Sequence, residues 1–542
     1  MRNRNAATKD WRASRKARTA GLLAAGMAAV LTLAACSGNT DGGGGDGSSA
    51  VFVEAVGTNP PHLNPQLATD ITTNAVAGAV FEHLVGQDAT FEIIPELAES
   101  WEISEDGMVY TLHLREGVTW HDGEPFTAED VKFNLEEVIP LNPLGPQLTD
   151  KVASVEATDE HTVVLTLSEP FAPVLEALTN QYMIPKHLYE GTDITVNPAN
   201  MAPVGTGPYQ FNEFNAGERI TVTKYPDYWQ EAGAADTIVF TIIPDNNARM
   251  LALRGGDVDR ISPFFTDQAQ VSSLSDEEFF VTTSKAAPSV MTAFLNVREG
   301  ELADPGVRHA VLSAIDRDAI AESAFSGSAI PARGPIPAAM EWAVDPEVDF
   351  TVDVPFDPEA AAAELDELGY PIGADGSRFE LDINYAGGLP TFASTAEMIK
   401  SNLEAIGIRA NLVQEDLNIF TETTFTTHDF DIAVMGFASY ADPNLGVSRL
   451  YVCNPDNVAF LNATGMCDAE LDAAFAGAAE VADRAQRAEF LSTAERRAEQ
   501  LLHTLPLAEE QPRGVMREGK WGNLDEFAHA YTLVDWTALT LD

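Results

Sequence analysis

Three observations predict an α/β protein built from two lobes. A chain of 542 residues, 45% of them hydrophobic, can bury more than one core, since a single core stops growing near about 250–300 residues. The first half contains short runs rich in β-branched residues that alternate apolar and polar positions, which is typical of strands. From about Val290 longer helical patterns and a strand–helix–strand unit follow, which favours a second lobe around an α/β sheet.

The N-terminal segment has the layout of an export signal. Seven basic residues precede an apolar run from Ala20 to Ala35, and this run is shorter than the roughly 20 residues of a membrane span. It ends in Leu33-Ala34-Ala35-Cys36, which resembles the bacterial lipoprotein lipobox, whose cysteine is lipidated. We therefore predict a signal peptide over residues 1–35 and lipid attachment at Cys36. An ordinary cleavage site that happens to contain a cysteine is the alternative.

Residues 36–50 form a linker in this interpretation. The stretch from Ser37 to Ser49 is rich in Gly and Ser, and a flexible chain of this length reaches about 20 Å on average. The glycines are not a phosphate-binding loop, because no strand precedes them and no Gly-Lys-Ser/Thr follows. The segment is a tether between the lipid and the first lobe.

The charge of the chain excludes one class of partner. Its formal net charge is −51, from 83 acidic and 32 basic residues, whereas nucleic acid binding depends on Lys and Arg that neutralise phosphates. Self-repulsion at this charge favours a monomer. A high acidic charge is also an adaptation to salt that halophiles use.

The strands and helices of the first lobe follow from short patterns. Alternating runs predict strands at residues 109–114, 162–167, 220–222 and 238–243. A helix is expected to start near Phe126, with Thr127 as its N-cap and Asp130 three positions later. Gly205 and Gly207 are expected at positive φ in a structural corner that Pro208 completes.

The second lobe carries clearer helix signals. Asp304-Pro305 and Asp357-Pro358 each supply an N-cap and an N1 proline, and Gly369 stands where it would end the second helix. A strand–helix–strand unit is predicted from residues 381–385, 394–406 and 409–413. A buried strand is expected at 430–437, a helix at 483–504 and a final strand at 531–534. In α/β sheets the loop after the carboxyl end of such a strand is where ligands bind.

The sequence offers no signal for an enzyme. It contains no His-Glu-x-x-His, Gly-x-Ser-x-Gly or Walker-type motif, so no catalytic residue, metal ligand or cofactor is predicted. If Cys36 is lipidated, Cys453 and Cys467 remain as a pair in an exported protein, for which a disulfide is expected. Two buried free thiols are the alternative.

Several stretches, in order along residues 51–510, resemble the bacterial extracellular solute-binding proteins of family 5, which include oligopeptide-, dipeptide- and nickel-binding proteins of ABC importers. The stretches that carry the resemblance are Leu63-Asn64-Pro65, Pro95-Glu96-Leu97-Ala98, Trp120-His121-Asp122-Gly123, Gly205-Thr206-Gly207-Pro208-Tyr209, Leu253-Arg254-Gly255-Gly256-Asp257 and Ala314-Ile315-Asp316-Arg317.

The resemblance implies a periplasmic-binding-protein-like clamp of the type II class, in its large cluster with an extra subdomain. The ligand would lie in a cleft between the lobes, which close on it around a hinge. Residues 51–286 and the returning tail 508–542 would form lobe I, and residues 287–507 would form lobe II. The implied partners are the permease and ATPase subunits of an importer, with a short peptide as the ligand.

The resemblance also points to the ligand-contacting loop after the strand at 430–437. Peptide-binding members carry an aspartate there that pairs with the peptide ammonium, a few residues before an Asp-Pro pair. In this chain Asp442 matches the Asp-Pro pair, and Ser439 or Tyr440 stands in the place of the ammonium-binding aspartate. Either Asp442 takes over that role, or the ligand has no free amino end. Arg333, in a loop that faces the cleft in the family, is a further candidate, for a ligand carboxylate.

Three functions therefore stay open. The first is a lipid-anchored binding protein outside the cell membrane that delivers oligopeptides or dipeptides to an importer, or, with the same clamp, a nickel chelate or an oligosaccharide. The second is a receptor subunit that senses peptides. The third is a cell-surface hydrolase, for which the sequence shows no nucleophile with its base.

Overall fold

A computed structural model describes residues 49–67, 70–88, 90–274, 278–283, 289–528 and 534–542. The signal peptide predicted over residues 1–35, the lipid attachment at Cys36 and nearly all of the linker lie outside the described residues. So does most of the strand predicted at 531–534.

Strands and helices alternate along the whole described part of the chain. Its strands are β1 Val51–Val56, β2 Val85–Gln87, β3 Ile93–Pro95, β4 Ala98–Ile103, β5 Val109–Leu114, β6 Val152–Asp159, β7 Thr162–Leu167, β8 Tyr209–Asn215, β9 Arg219–Lys224, β10 Thr237–Ile242, β11 Arg260–Ile261, β12 Phe279–Thr283, β13 Ser289–Leu295, β14 Ala329–Pro331, β15 Glu380–Ala386, β16 Arg409–Glu415, β17 Ile432–Ala438, β18 Thr504–Glu510, β19 Arg513–Arg517, β20 Trp521–Gly522 and β21 Thr540–Leu541.

The helices of the same ranges vary from one turn to five. They are α1 Ile71–Val80, α2 Ala128–Phe133, α3 Pro146–Thr149, α4 Val174–Leu178, α5 Lys186–Tyr189, α6 Asn246–Gly255, α7 Gln268–Val271, α8 Pro305–Ser313, α9 Arg317–Ala319, α10 Phe350–Asp353, α11 Pro358–Glu367, α12 Pro390–Ala405, α13 Leu417–Glu422, α14 Pro443–Gly446, α15 Ala469–Glu480, α16 Arg484–Leu501 and α17 Leu524–Phe527.

Two large sheets organise these elements. In the described residues one sheet has seven strands in the order β12-β19-β11-β1-β10-β9-β8, and the other has six in the order β14-β18-β13-β17-β15-β16. The chain passes from the first sheet to the second between β12 and β13, and it returns between β18 and β19. The seven-stranded sheet therefore contains strands from both ends of the described chain.

A third sheet forms a smaller unit next to the seven-stranded one. It has four strands in the order β4-β5-β7-β6, within the described residues. Each of the three sheets carries its own apolar core, with Phe52 and Trp536 in the first, Phe294 and Phe425 in the second, and Trp120 in the third. The architecture is thus two lobes with an additional subdomain of residues 84–183.

The strand and cap predictions agree closely with the observed elements. Residues 109–114 and 162–167 are confirmed as β5 and β7, and the strand–helix–strand unit is β15, α12 and β16 with β15 and β16 parallel. Asp304 and Asp357 are the N-caps of α8 and α11 and accept hydrogen bonds from Gly306 N and Ala360 N. Short-range chemistry fixes these boundaries.

Two local predictions were wrong. The helix predicted to reach residue 504 ends at Leu501, and Pro506 lies in β18 beside a shift of the strand register, where a missing N–H is tolerated. Gly205 and Gly207 do not have positive φ. A Cβ on Gly205 would lie 1.8 Å from the Val80 carbonyl oxygen, so the corner needs glycine for close backbone approach.

Candidate ligand-binding site

The loop after β17 forms the centre of the candidate site. β17 lies between β13 and β15 in the six-stranded sheet, and its carboxyl end opens into residues 439–442, which lead to α14. Asp442 is the N-cap of α14 and accepts a hydrogen bond from Asn444 N (2.8 Å). An N-cap Asp followed by an N1 proline favours a helix start, so α14 fixes the end of the loop.

This loop packs against the subdomain of residues 84–183. Tyr440 contacts the apolar core of the four-stranded sheet, and Leu445 is part of that core. Gln87 Nε2 donates to the Ala441 carbonyl oxygen (3.4 Å). The loop therefore lies where two parts of the molecule that are distant in sequence meet, which is the usual location of a ligand site.

Asp442 is fully buried and already has a cationic partner. Its Oδ1 accepts a hydrogen bond from the Arg487 guanidinium (2.7 Å), and its Oδ2 has no hydrogen-bond partner within the described ranges. Arg487 also donates to Asn444 Oδ1 (3.1 Å) and to the Ala478 carbonyl oxygen (2.9 Å). Because Arg487 balances the charge of Asp442, the geometry favours a structural role for this carboxylate.

A second carboxylate approaches Arg487 from the subdomain. Glu176 Oε1, on α4, lies 3.9 Å from a guanidinium nitrogen of Arg487. Burial raises the pKa of Glu176 to about 7, and the negative charge of Asp442 acts in the same direction. Arg487 thus links α4 to the loop after β17.

The loop itself is a tight turn. Tyr440 has a φ of 51°, in the left-handed region that residues other than glycine seldom adopt. Ser439 is buried, and a Cβ on Gly446 would lie 2.1 Å from the Ser439 carbonyl oxygen. Gly446 therefore allows the turn to fold back onto α14. Ser439 and Tyr440, both predicted site residues, lie next to each other in this turn, beside Asp442.

Arg449 is a site residue that the sequence did not reveal. Its guanidinium carbon lies 5.5 Å from the ring centre of Phe437 and 5.5 Å from the ring centre of Tyr440. These distances are typical of cation–π contacts. No motif marks this position, because only the folded turn brings Arg449 beside the two rings.

Arg333 lies in a different loop, and its partner belongs to the same lobe. Its Nε donates to Asp349 Oδ2 (2.9 Å), and its side chain is 42% exposed. In the part of the chain that the structure describes, no hydrogen bond or ion pair joins Arg333 to Ser439, Tyr440 or Asp442. The structure therefore groups three of the predicted ligand residues and leaves Arg333 apart.

Buried carboxylates hold the loop that carries Arg333. Glu509, on β18, accepts a hydrogen bond from Ala338 N (3.0 Å), and Glu495, on α16, accepts one from Asp345 N (2.6 Å). Burial raises the pKa of Glu509 to about 7 and that of Glu495 to about 8. The backbone amides of the loop donate to these buried carboxyl groups, and these hydrogen bonds fix the loop on the second lobe.

Cys453 and Cys467 lie in the segment between the loop of Tyr440 and α15. The structure joins them by a disulfide whose Cα atoms are 4.4 Å apart, within the range that disulfide geometry requires. Cys453 N also donates to Asp472 Oδ1 on α15 (2.8 Å). The cross-link therefore ties the segment after the site to the helix that follows.

The described residues contain neither a metal-binding cluster nor a helix that could span a membrane. No group of three or more His, Cys, Asp or Glu in these ranges is placed to hold a metal ion. Likewise, none of the helices described is long and apolar enough to span a bilayer.

The chain is similar to a family of bacterial binding proteins. The family model described as bacterial extracellular solute-binding proteins, family 5 Middle, matches residues 92–457. The glutathione-binding protein GsiB of Salmonella typhi is 33% identical over 373 residues, which cover 67% of this chain and 69% of that protein.

Solved structures share the fold over nearly the whole chain. The ABC transporter substrate-binding protein CtaP of Listeria monocytogenes has a TM-score of 0.79 and 25% identity, and the match covers 91% of this chain and 99% of CtaP. The periplasmic binding protein DppA of Helicobacter pylori, solved with the peptide STSA, has a TM-score of 0.71 and 25% identity, with 91% and 98% covered.

Proposed function

The chain belongs to the bacterial extracellular solute-binding proteins of family 5, and on this basis we propose that it captures short peptides and delivers them to a permease. As a member of this family it is the substrate-binding protein of an ABC importer for peptides or related solutes. The match over residues 92–457 is the observation that carries the proposal, because it includes the subdomain and most of the second lobe.

A peptide ligand is supported by two relatives and by the shape of the site. GsiB is a glutathione-binding protein, and DppA of Helicobacter pylori was solved with a tetrapeptide. The loop after β17 lies at the carboxyl edge of a sheet and faces a second unit, so a short extended ligand can contact both parts at once. We assign residues 51–286 and 508–542 to lobe I and residues 287–507 to lobe II of this clamp.

Within the site we assign different roles to the residues predicted from sequence. Ser439 and Tyr440 contact the ligand, while Asp442 holds their turn through Arg487. Arg333 is a secondary contact that closure of the lobes brings to the ligand. The bridge between Cys453 and Cys467 is part of the exported protein, which acts as a monomer without catalysis and without a cofactor.

Mass spectrometry of bound material tests the peptide assignment. A soluble form of residues 37–542, purified under native conditions and then denatured, is expected to release a set of short peptides. The same protein after unfolding, dialysis and refolding is the ligand-free control. Release of one non-peptidic species, such as a nickel chelate or an oligosaccharide, would contradict the assignment and leave the clamp with a different solute.

A second part of the proposal concerns the membrane. Leu33-Ala34-Ala35-Cys36 supports lipid attachment at Cys36 and location on the outer face of the cell membrane. We expect the wild-type chain, expressed in a bacterium that modifies lipoproteins, to incorporate a labelled fatty acid and to stay with the membrane fraction. A C36S variant should lose both properties, and labelling of that variant would refute the attachment site.

A role in import also has a direct test. Deletion of the gene should abolish uptake of the labelled ligand into cells, whereas a sensing receptor subunit would leave uptake unchanged and alter a transcriptional response instead. Turnover of the ligand by the purified protein would favour a hydrolase.

A further inference from the structure

Arg449 is a half-buried arginine without a carboxylate partner. No Asp or Glu oxygen lies within 4.0 Å of its guanidinium in the described residues. Its three hydrogen bonds go to the carbonyl oxygens of Gly446 (3.1 Å), Phe460 (3.5 Å) and Ala438 (3.4 Å). Two of these three distances are at the long limit for a hydrogen bond.

Two other buried arginines of this lobe, Arg487 and Arg308, are bound more firmly. Arg487 has a carboxylate at 2.7 Å. Arg308 donates to three carbonyl oxygens at 2.8, 2.9 and 3.0 Å, which satisfies a guanidinium in a purely structural role. Burial lowers the pKa of Arg449, as it does that of Arg308, so the two arginines differ in the lengths of their hydrogen bonds and not in this shift. The positive charge of Arg449 is thus poorly compensated by the protein itself.

The surroundings of Arg449 leave donors for a ligand. A guanidinium has five N–H groups, and three are used in the contacts above. The rings of Phe437 and Tyr440 lie 5.5 Å from its carbon, and such flanking rings hold a guanidinium in place while its edge stays free. The Tyr440 hydroxyl forms no hydrogen bond within the part of the chain described here, so it is a further donor on the same turn.

We propose that Arg449, flanked by Phe437 and Tyr440, binds a carboxylate of the ligand. This carboxylate belongs to the end of the ligand that lies against the loop after β17. A planar guanidinium fork matches a carboxylate through two parallel hydrogen bonds. The preferred ligand therefore presents an acidic group at this end, such as an acidic side chain or an acidic acyl group. The inference rests on the proposed function, because it names the chemical class of peptide that the clamp selects.

Three tripeptides that differ only at the amino end test this selectivity. Calorimetry would compare N-succinyl-trialanine, which carries a carboxylate there, with neutral N-acetyl-trialanine and with trialanine, which carries an ammonium. The ligand-free protein of residues 37–542 is expected to bind the succinyl peptide at least about tenfold more tightly than the other two. Preference for free trialanine would overturn the inference and leave the peptide assignment intact.

Two variants show whether Arg449 is responsible. R449M should abolish the preference for the succinyl peptide. R298M is the control, because Arg298 also has no carboxylate within 4.0 Å among the described residues, is more exposed than Arg449, and lies near Asn296 at the opposite end of β17. R298M should keep the preference. An unchanged ranking in R449M would refute the role of Arg449, and failure of all three peptides to bind would contradict both the peptide assignment and the acidic preference.

Discussion

Among single residues, the pair of Arg487 and Asp442 determines the shape of the site. A buried carboxylate at 2.7 Å from a buried guanidinium is not a large net stabilisation, because both charges lose their hydration. Removal of one member alone is severe, since the other charge stays buried and unpaired. The pair therefore keeps the turn of Tyr440 in one conformation. Removal of either partner should markedly lower the free energy of unfolding.

We expect D442A to lower the free energy of unfolding by about 3–5 kcal/mol, measured by urea denaturation. The double variant D442A/R487M should recover much of this loss, because the buried guanidinium is gone and Glu176, which Arg487 no longer contacts, can take up a proton. D357A is the matched control, since Asp357 is an exposed N-cap of α11, and it should lose only about 1 kcal/mol. Equal losses in D442A and D357A would show that Asp442 acts as a cap only.

Sequence patterns identified part of this site and could not identify the rest. Asp442 was found because Asp-Pro is a local signal for a helix start. Its partner Arg487 is 45 residues away, and Arg449 reaches the ring of Tyr440 only through the fold of the turn. Long-range ion pairs and ring contacts leave no periodic trace in a sequence, so both arginines had to be seen in the structure.

At the scale of elements, the disulfide closes the segment that follows the site. The two cysteines are 14 residues apart, and closing a loop of this length stabilises a protein by about 3 kcal/mol in the chain-entropy model. We expect the double variant C453S/C467S to melt at a lower temperature than wild type by differential scanning calorimetry.

A mass measurement separates the disulfide from the packing of the two side chains. Intact wild-type protein should gain about 2 Da on reduction. Addition of reductant should then lower the melting temperature of wild type towards that of C453S/C467S and leave the variant unchanged. An unreduced mass that corresponds to two free thiols would contradict the bridge.

The loop that carries Arg333 depends on carboxyl groups that prefer to stay protonated. The pKa of Glu495 is raised to about 8 by burial, and an unfolded chain would release this proton near pH 4.5. Wild type should therefore lose stability as the pH rises towards 8. E495Q, which is always neutral, should be more stable than wild type at pH 9 and similar to it at pH 5, as judged from melting temperatures.

Glu489 provides the control for this prediction. It lies on the same helix, α16, and is exposed, so E489Q should not change the pH dependence of the melting temperature. If E495Q and wild type had parallel melting curves from pH 5 to 9, the Glu495 carboxyl would be ionised in the fold throughout, contrary to our expectation.

Elements with local signals were predicted well, and those that depend on distant partners were not. The strands β5 and β7 follow from alternation of β-branched residues, and α8 and α11 follow from their Asp-Pro starts. β18 was not predicted: the preceding helix was extended to Thr504, Pro506 was taken only as its stop, and a proline is unusual in an inner strand. A register shift against β13 makes room for it, and such a shift depends on the neighbouring strand.

For the whole molecule, buried carboxyl groups and surface charge both lower the stability of the fold as the pH rises. Burial raises the pKa of Glu82 to about 8 and of Glu176 to about 7, so each binds a proton in the folded state that the unfolded chain has already lost. Stability that is present near pH 4.5 is therefore lost as the pH rises through 7 to 8. The net charge of −51 adds repulsion at high pH.

We expect the melting temperature to fall by at least about 5 °C between pH 5.5 and pH 8.5. Repetition of the scan in 1 M NaCl separates the two causes, because salt screens exposed charges much more than buried ones. The part of the pH dependence that persists in salt belongs to the buried carboxyl groups. A melting temperature that rises with pH in both buffers would contradict the directions assigned to Glu82 and Glu176.

The division into two lobes was predictable, whereas the order of strands within them was not. Length, composition and alternating patterns indicated two α/β units. The placement of β19 between β12 and β11 joins residues more than 200 positions apart, and no local pattern encodes such a pairing.

The return of β19 sets the order in which the two lobes can be completed as the chain folds from its N-terminus. All strands of the six-stranded sheet precede β19 in the chain, so the second lobe can close while the polypeptide is still emerging. The seven-stranded sheet, although it begins with β1, has a gap between β11 and β12 until residues 513–517 arrive. The lobe that begins first in the chain is therefore completed last, and the strand edges of β11 and β12 stay open to wrong pairing until residues 513–517 are in place.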